Sequence, residues 1–101
     1  MKFVNRWGGQ YFGFFYEGGL YTKDGRHVGY RKLNEIYDLK GHYLGDLKQE
    51  RLVTKIAKLG KQSLGRIPTL RIVGTNVTCG DEPALDIPDG FQDFPAPDAL
   101  A

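Results

Sequence analysis

The sequence predicts an all-β fold, an antiparallel meander of four β-hairpin repeats of about sixteen residues, barrel-like, with an extra C-terminal strand and an extended tail. Three observations carry that expectation. The run Leu20-Tyr21-Thr22-Lys23-Asp24-Gly25-Arg26-His27-Val28-Gly29 aligns without a gap on Ile36-Tyr37-Asp38-Leu39-Lys40-Gly41-His42-Tyr43-Leu44-Gly45, sixteen residues on. The same interval connects Val4, Gly9, Phe12 and Gly13 to the first of these runs, and Leu52 and Val53 to the second. Finally, such a unit is too short for a pair of helices but holds two strands of roughly five to six residues and two turns. The copies fall at about 4–19, 20–35, 36–51 and 52–67 of a body spanning residues 1–73.

Within each copy the first turn is set by Thr22-Lys23-Asp24-Gly25 or Asp38-Leu39-Lys40-Gly41, a short side-chain acceptor followed three residues later by glycine. That pattern suits a type I turn closed by a left-handed glycine bulge. The turn would set Tyr21 opposite His27 and Leu20 opposite Val28, then Tyr37 opposite Tyr43 and Ile36 opposite Leu44, and Asn5 opposite Tyr11 and Val4 opposite Phe12. A two-residue Asp24-Gly25 turn would instead face Leu20 with Gly29 and segregate the two faces less well. A second set of turns is expected at Glu17-Gly18-Gly19, around Asn34-Glu35 and around Gln49-Glu50-Arg51. No hairpin of this size is stable alone, so Val4, Leu20, Ile36 and Leu52, with Phe12, Val28, Leu44 and Leu64, should share one core. The second glycine of the unit, Gly13, Gly29 and Gly45, falls where a side chain would crowd a neighbouring strand.

The fourth copy departs from the pattern. It begins with Leu52-Val53-Thr54-Lys55, but its glycines slip to Gly60 and Gly65, so Ile56 to Gly60 should form a helical turn or an enlarged loop before Leu64-Gly65 resumes the repeat. Thr69 to Val73 alternates as one more strand. Residues 74–101 form an acidic, Pro-containing tail in which Phe91 and Phe94 are the expected docking anchors, on its own body or on a neighbouring chain.

All fourteen Lys and Arg lie at or before Arg71 together with six of the twelve acids, a net charge of +8; the other six acids follow with no Lys or Arg. The tail acids should therefore face the cations of the body. The longest apolar run is a few residues, far from the roughly 20 that cross a bilayer, so a soluble, cytoplasmic protein without a membrane partner is expected. Cys79 is the single cysteine and has no companion at metal-ligand spacing, and no cofactor motif is present.

The pattern of hydrophobe, Tyr, Thr or Asp, two residues, Gly, two residues, hydrophobe, Gly, carried by Leu20-Tyr21 to Gly29, by Ile36-Tyr37 to Gly45 and more weakly by Val4 to Gly13, resembles the four-fold β-flower family of small bacterial proteins. The resemblance covers residues 3 to about 65 and implies four hairpin petals about a pseudo-four-fold axis. It implies no catalytic residues, and the family's molecular function is largely unassigned.

For chemistry, His27 and His42 occupy successive positions of the unit and should point to opposite faces of alternating strands. No nucleophile–base pair, carboxylate pair or metal cluster stands out, so a small enzyme is the third reading only. Recurring rings suggest a surface carrying Tyr21 with His27 and Tyr37 with Tyr43, flanked by Arg26 and Arg31, and Trp7 at a turn tip is either a contact residue or a lid over the core. The leading expectation is a non-catalytic module for protein interaction or assembly, its partner another protein or a second copy. The alternative is a nucleic-acid-binding module using the same basic, aromatic face.

Overall fold

The computed structural model describes residues 2–63 and 80–100. The expected Leu64 core position, the strand over 69–73 and Cys79 lie outside the described residues. The chain runs through β1 (Lys2–Arg6), β2 (Tyr11–Tyr16), β3 (Gly19–Thr22), β4 (His27–Lys32), β5 (Glu35–Asp38), β6 (Tyr43–Lys48) and β7 (Arg51–Lys55), then a 3-10 turn at Ile56–Lys58, the short β8 (Phe91–Asp93) and a second 3-10 turn at Pro97–Ala99.

Consecutive strands pair antiparallel from β1 to β7. In an up-and-down meander the first and seventh strands run the same way, so closing the ring requires a parallel pair. That is how β1 and β7 meet, Asn5 opposite Arg51 and Arg6 opposite Leu52, with Trp7 N–H donating to Leu52 O at 2.8 Å. The result is a closed seven-stranded barrel of mixed pairing, with β8 added on β7.

The tight turns follow the glycine pattern. Gly9, Gly25 and Gly41 have φ of 97°, 85° and 87°, and the N–H of Gly25 and Gly41 donates to Thr22 O (2.8 Å) and Asp38 O (3.0 Å). Thr22 Oγ1 donates to Asp24, and Asp38 accepts from the N–H of Lys40 and His42 at 2.8 and 2.9 Å. The linking turns are two-residue loops at Glu17-Gly18, Leu33-Asn34 and Gln49-Glu50, the second a residue earlier than expected; Gln49 and Glu50 hold φ of 51° and 61° without being glycine.

The register combines both sequence alternatives. Tyr21 faces His27, Tyr37 faces Tyr43 and Asn5 faces Tyr11, as the bulged turn demands. Beyond that point Leu20 faces Gly29, Ile36 faces Gly45 and Val4 faces Gly13, because an extra residue bulges out of each second strand. The expected pairs with Val28, Leu44 and Phe12 are corrected accordingly. The bulge turns Phe12 and Val28 inward, where they form one buried cluster with Val4, Phe15, Leu20, Ile36, Leu52 and Phe94; Leu44, Leu47 and Leu100 pack on its rim.

The glycines that pair with these positions are needed for space. A Cβ on Gly45 would lie 2.5 Å from Val53 O, and one on Gly29 or Gly13 would collide still more closely with the carbonyl oxygens of Tyr37 and Tyr21. Each repeat therefore packs backbone directly on the backbone of the next.

The fourth hairpin is completed from the tail. Val53 faces Asp93, Thr54 faces Gln92 and Lys55 faces Phe91, so Asp93 stands to Val53 as His27 stands to Tyr21. Phe94 then takes the place of Phe12, Val28 and Leu44, fully buried and edge-on to Phe12 with ring centroids 5.3 Å apart. The composition boundary near residue 74 is thus no boundary of the core. Residues 56–63, freed from the hairpin, fold over β5 and β6: Tyr43 N–H donates to Lys61 O (2.9 Å) and Ser63 N–H to Gly41 O (2.8 Å).

Candidate interaction surface

The face of the sheet opposite the core carries rows of rings. Phe14, Tyr21 and His27 face one another across β2, β3 and β4, with centroids 5.2 and 4.9 Å apart and planes within 4° and 27° of parallel. Tyr30, Tyr37 and Tyr43 repeat the row across β4, β5 and β6. The third row, Asp46, Val53 and Asp93, has no ring.

The structure places the expected ring-bearing residues together but covers them. Tyr21, Tyr37 and Tyr43 are buried, and His27 is half-buried, its imidazole pKa lowered by desolvation against a backbone bond at Gly29 that raises it. Trp7 is 3 % exposed: its Nε1–H donates to Asp86 O at 2.9 Å, and the tail lies over it. Arg31 remains exposed and stacks on Phe15 at 5.8 Å while donating to Leu33 O at 2.6 Å. Arg26 is half-buried and donates to Pro97 O at 2.9 Å. Of the two tail anchors Phe94 is in the core, and half-buried Phe91 carries the Lys48 ammonium 5.2 Å above its ring.

What the body does present is a track of donors aimed at tail carbonyls. Asn5 Nδ2 reaches Gly80 O (3.3 Å), Arg51 reaches Pro83 O (2.7 Å), Trp7 reaches Asp86 O, Arg6 Nε reaches Phe94 O (2.7 Å) and Arg26 reaches Pro97 O. Main-chain bonds run between them, Glu82 N–H to Gly9 O at 2.7 Å and Leu85 N–H to Trp7 O at 3.3 Å. The expectation that tail acids would pair with body cations is largely corrected. Among the described residues one tail carboxylate, Asp93, forms an ion pair with the body, with Arg6 at 3.7 Å, and it also accepts from Gly8 N–H at 3.1 Å. Asp81 accepts from Tyr11 N–H at 2.9 Å. The guanidinium groups bind carbonyls, and the acids cap backbone N–H groups left open at the first turn.

No family model matches the chain, and no curated protein or solved structure matches it significantly. Its function has to be read from the geometry.

Two further clusters escaped the sequence. A cleft of about 400 Å³ lies between the β5–β6 turn and the chain's C-terminal end, lined by Val28, Leu39 and Leu100 with Asp38, Lys40 and His42 at its edge. There His42 Nδ1 stands 3.3 Å from Asp38 Oδ2, the His–carboxylate pairing from which acid–base chemistry would start. The same carboxylate closes the turn, and the imidazole is more than half exposed. Among the described residues no group of three or more His, Cys, Asp or Glu is placed to hold a metal ion.

The second cluster pins residues 56–61. Lys61 and Lys58 reach Glu35 at 2.8 and 3.0 Å, Lys58 reaches Asp46 at 3.1 Å, and the Tyr37 and Tyr43 hydroxyls donate to Glu35 and Asp46. The only visible cue was the spacing of Lys55, Lys58 and Lys61 in the lengthened unit. Lys61, then Lys58 and Tyr37, hold the Glu35 carboxyl down to about 2, and burial pushes the Tyr43 hydroxyl up to about 12. A carboxylate whose pKa is depressed on folding contributes stability above its ordinary value near 4.5 and loses it as pH falls toward 2. Thermal melts of the wild type should therefore fall more steeply than those of Glu35→Gln between those pH values, by at most about 1.4 kcal/mol per pH unit. Parallel curves would show that the cluster adds nothing.

Proposed function

We propose that the protein is a non-catalytic interaction and assembly module whose binding face takes extended, acidic, proline-containing segments, and that its own tail is the resident occupant. The observation that supports this reading is the donor track of Asn5, Arg6, Trp7, Arg26 and Arg51, all directed at carbonyl oxygens. Donors that read carbonyls grip any extended backbone, including one in which proline has removed the N–H groups, and the bound segment contains Pro83, Pro88, Pro95 and Pro97. The acids of that segment add selectivity by capping Gly8 N–H and Tyr11 N–H. Nucleic acid fits this face less well, because the rings that would stack on bases already stack on one another. Four equivalent hairpins, the last completed by β8, also favour membership of the four-fold β-flower family, which we offer as a proposal.

The test is competition in trans. A tethered tail acts at an effective concentration on the order of millimolar, so the tail is first weakened by Asp93→Asn in the full chain. A fluorescein-labelled peptide of residues 80–100 should then bind saturably, and the N–H groups of Glu82 and Leu85 should exchange faster as the resident tail leaves. If the peptide does not bind at millimolar concentration, the face is no peptide site.

A further inference from the structure

We propose that the slot on β7 exchanges its occupant and that the partner it takes is a second copy of this chain, each copy placing β8 and Phe94 in the other's fourth hairpin. The inference rests on the reading of the tail as a bound segment. Three observations point to a second copy.

The first is fit. The slot is shaped to a particular sequence: Phe94 fills the position held by Phe12, Val28 and Leu44 in the other hairpins, and Asp93 and Asp81 meet Gly8 N–H and Tyr11 N–H. Another copy supplies the same groups by identity. The second is reach. Sixteen residues, 64–79, connect Ser63 to Gly80, a contour of roughly 50 Å, whereas the longest dimension of the molecule is 36 Å. The connection is long enough for the tail to lie on a neighbouring body.

The third is the cost of opening. β8 faces β7 over three residue pairs and, among the described residues, pairs with no second strand, whereas β2 and β4 are each held along both edges. It is the strand whose release breaks the least sheet. Reciprocal exchange refills both slots with the contacts of the single chain and closes as a two-fold dimer in which neither fourth hairpin is left unfilled. Tethering favours the closed single chain in dilute solution, so exchange should appear when chains refold together at high concentration.

Lys55 and Phe91 face each other across β7 and β8 and provide the test. In full-length chains carrying Cys79→Ser, one population receives Lys55→Cys and another Phe91→Cys, and the two are refolded together at about 1 mM, comparable to the effective concentration of a tethered segment. The expected result is a disulfide-linked mixed dimer on a non-reducing gel, several-fold more abundant than dimers of either population refolded alone. A single chain carrying both substitutions, refolded dilute, should close the bond internally. If it does so while mixed dimers stay at the level of the separate controls, exchange is overturned and the bound-tail reading stands. If neither species cross-links, β8 is not on β7 and both readings fall.

Discussion

Gly13→Ala is expected to destabilise the protein more than any other single substitution in the barrel. The added methyl would meet the backbone of Tyr21 and Thr22, which cannot swing aside as a side chain can. Overpacking a core costs about 1–3 kcal/mol even when side chains absorb it. Here two strands of a closed ring must separate, and a loss of about 4 kcal/mol or more is expected from a total of about 5–15. Gly18→Ala is the control. Its φ of 81° is strained for alanine, but nothing lies within 4 Å of the new atom, so about 1 kcal/mol should be lost. Urea midpoints of the two variants decide the matter, and equal midpoints would mean that the repeats do not pack backbone on backbone.

Phe94→Ala should have the next largest effect. The ring is fully buried among Phe12, Leu52 and the other members of the cluster, and it touches the space left open by Gly45. Truncating a buried phenylalanine costs about 3–5 kcal/mol, or about 4–8 °C of melting temperature per kcal/mol in a domain of this size. The loss should be local as well as global, with the amides of Val53 to Lys55 exchanging faster as β8 detaches. Phe91→Ala, which removes a half-exposed ring under Lys48, should cost under about 1 kcal/mol. If the two phenylalanines proved equivalent, the tail would be a surface attachment and not part of the barrel.

The repeated hairpin was legible because its turns are chemical signals: Thr22 or Asp38 followed by Gly25 or Gly41 leaves few conformations. The bulge beyond Tyr21 was not, since turn chemistry fixes only the pairs next to the turn, and the hydrophobic pattern favours Leu20 opposite Val28, where the extra residue sets it opposite Gly29. The candidate surface was half legible. Tyr21, His27, Tyr37 and Tyr43 do share rows, but a row of rings in sequence looks the same whether solvent or other rings cover it. Arg6 and Arg51, which hold the tail, occupy no repeated position that would mark them. Phe94 was visible as an anchor, yet nothing aligns Phe91-Gln92-Asp93 with the second strand of a repeat, because the glycine that follows His27-Val28 is replaced by Pro95.

Because the last staple of the ring lies 38 residues beyond β7, the order of synthesis matters. At roughly 5–20 residues per second, about 2–8 s separate the emergence of Lys55 from that of Asp93. Throughout that interval β1 to β7 have emerged while the apolar hollow where Phe94 belongs is still unfilled. The newborn protein is thus most exposed to chaperones, or to a neighbouring nascent chain on the same message, just before its final strand arrives.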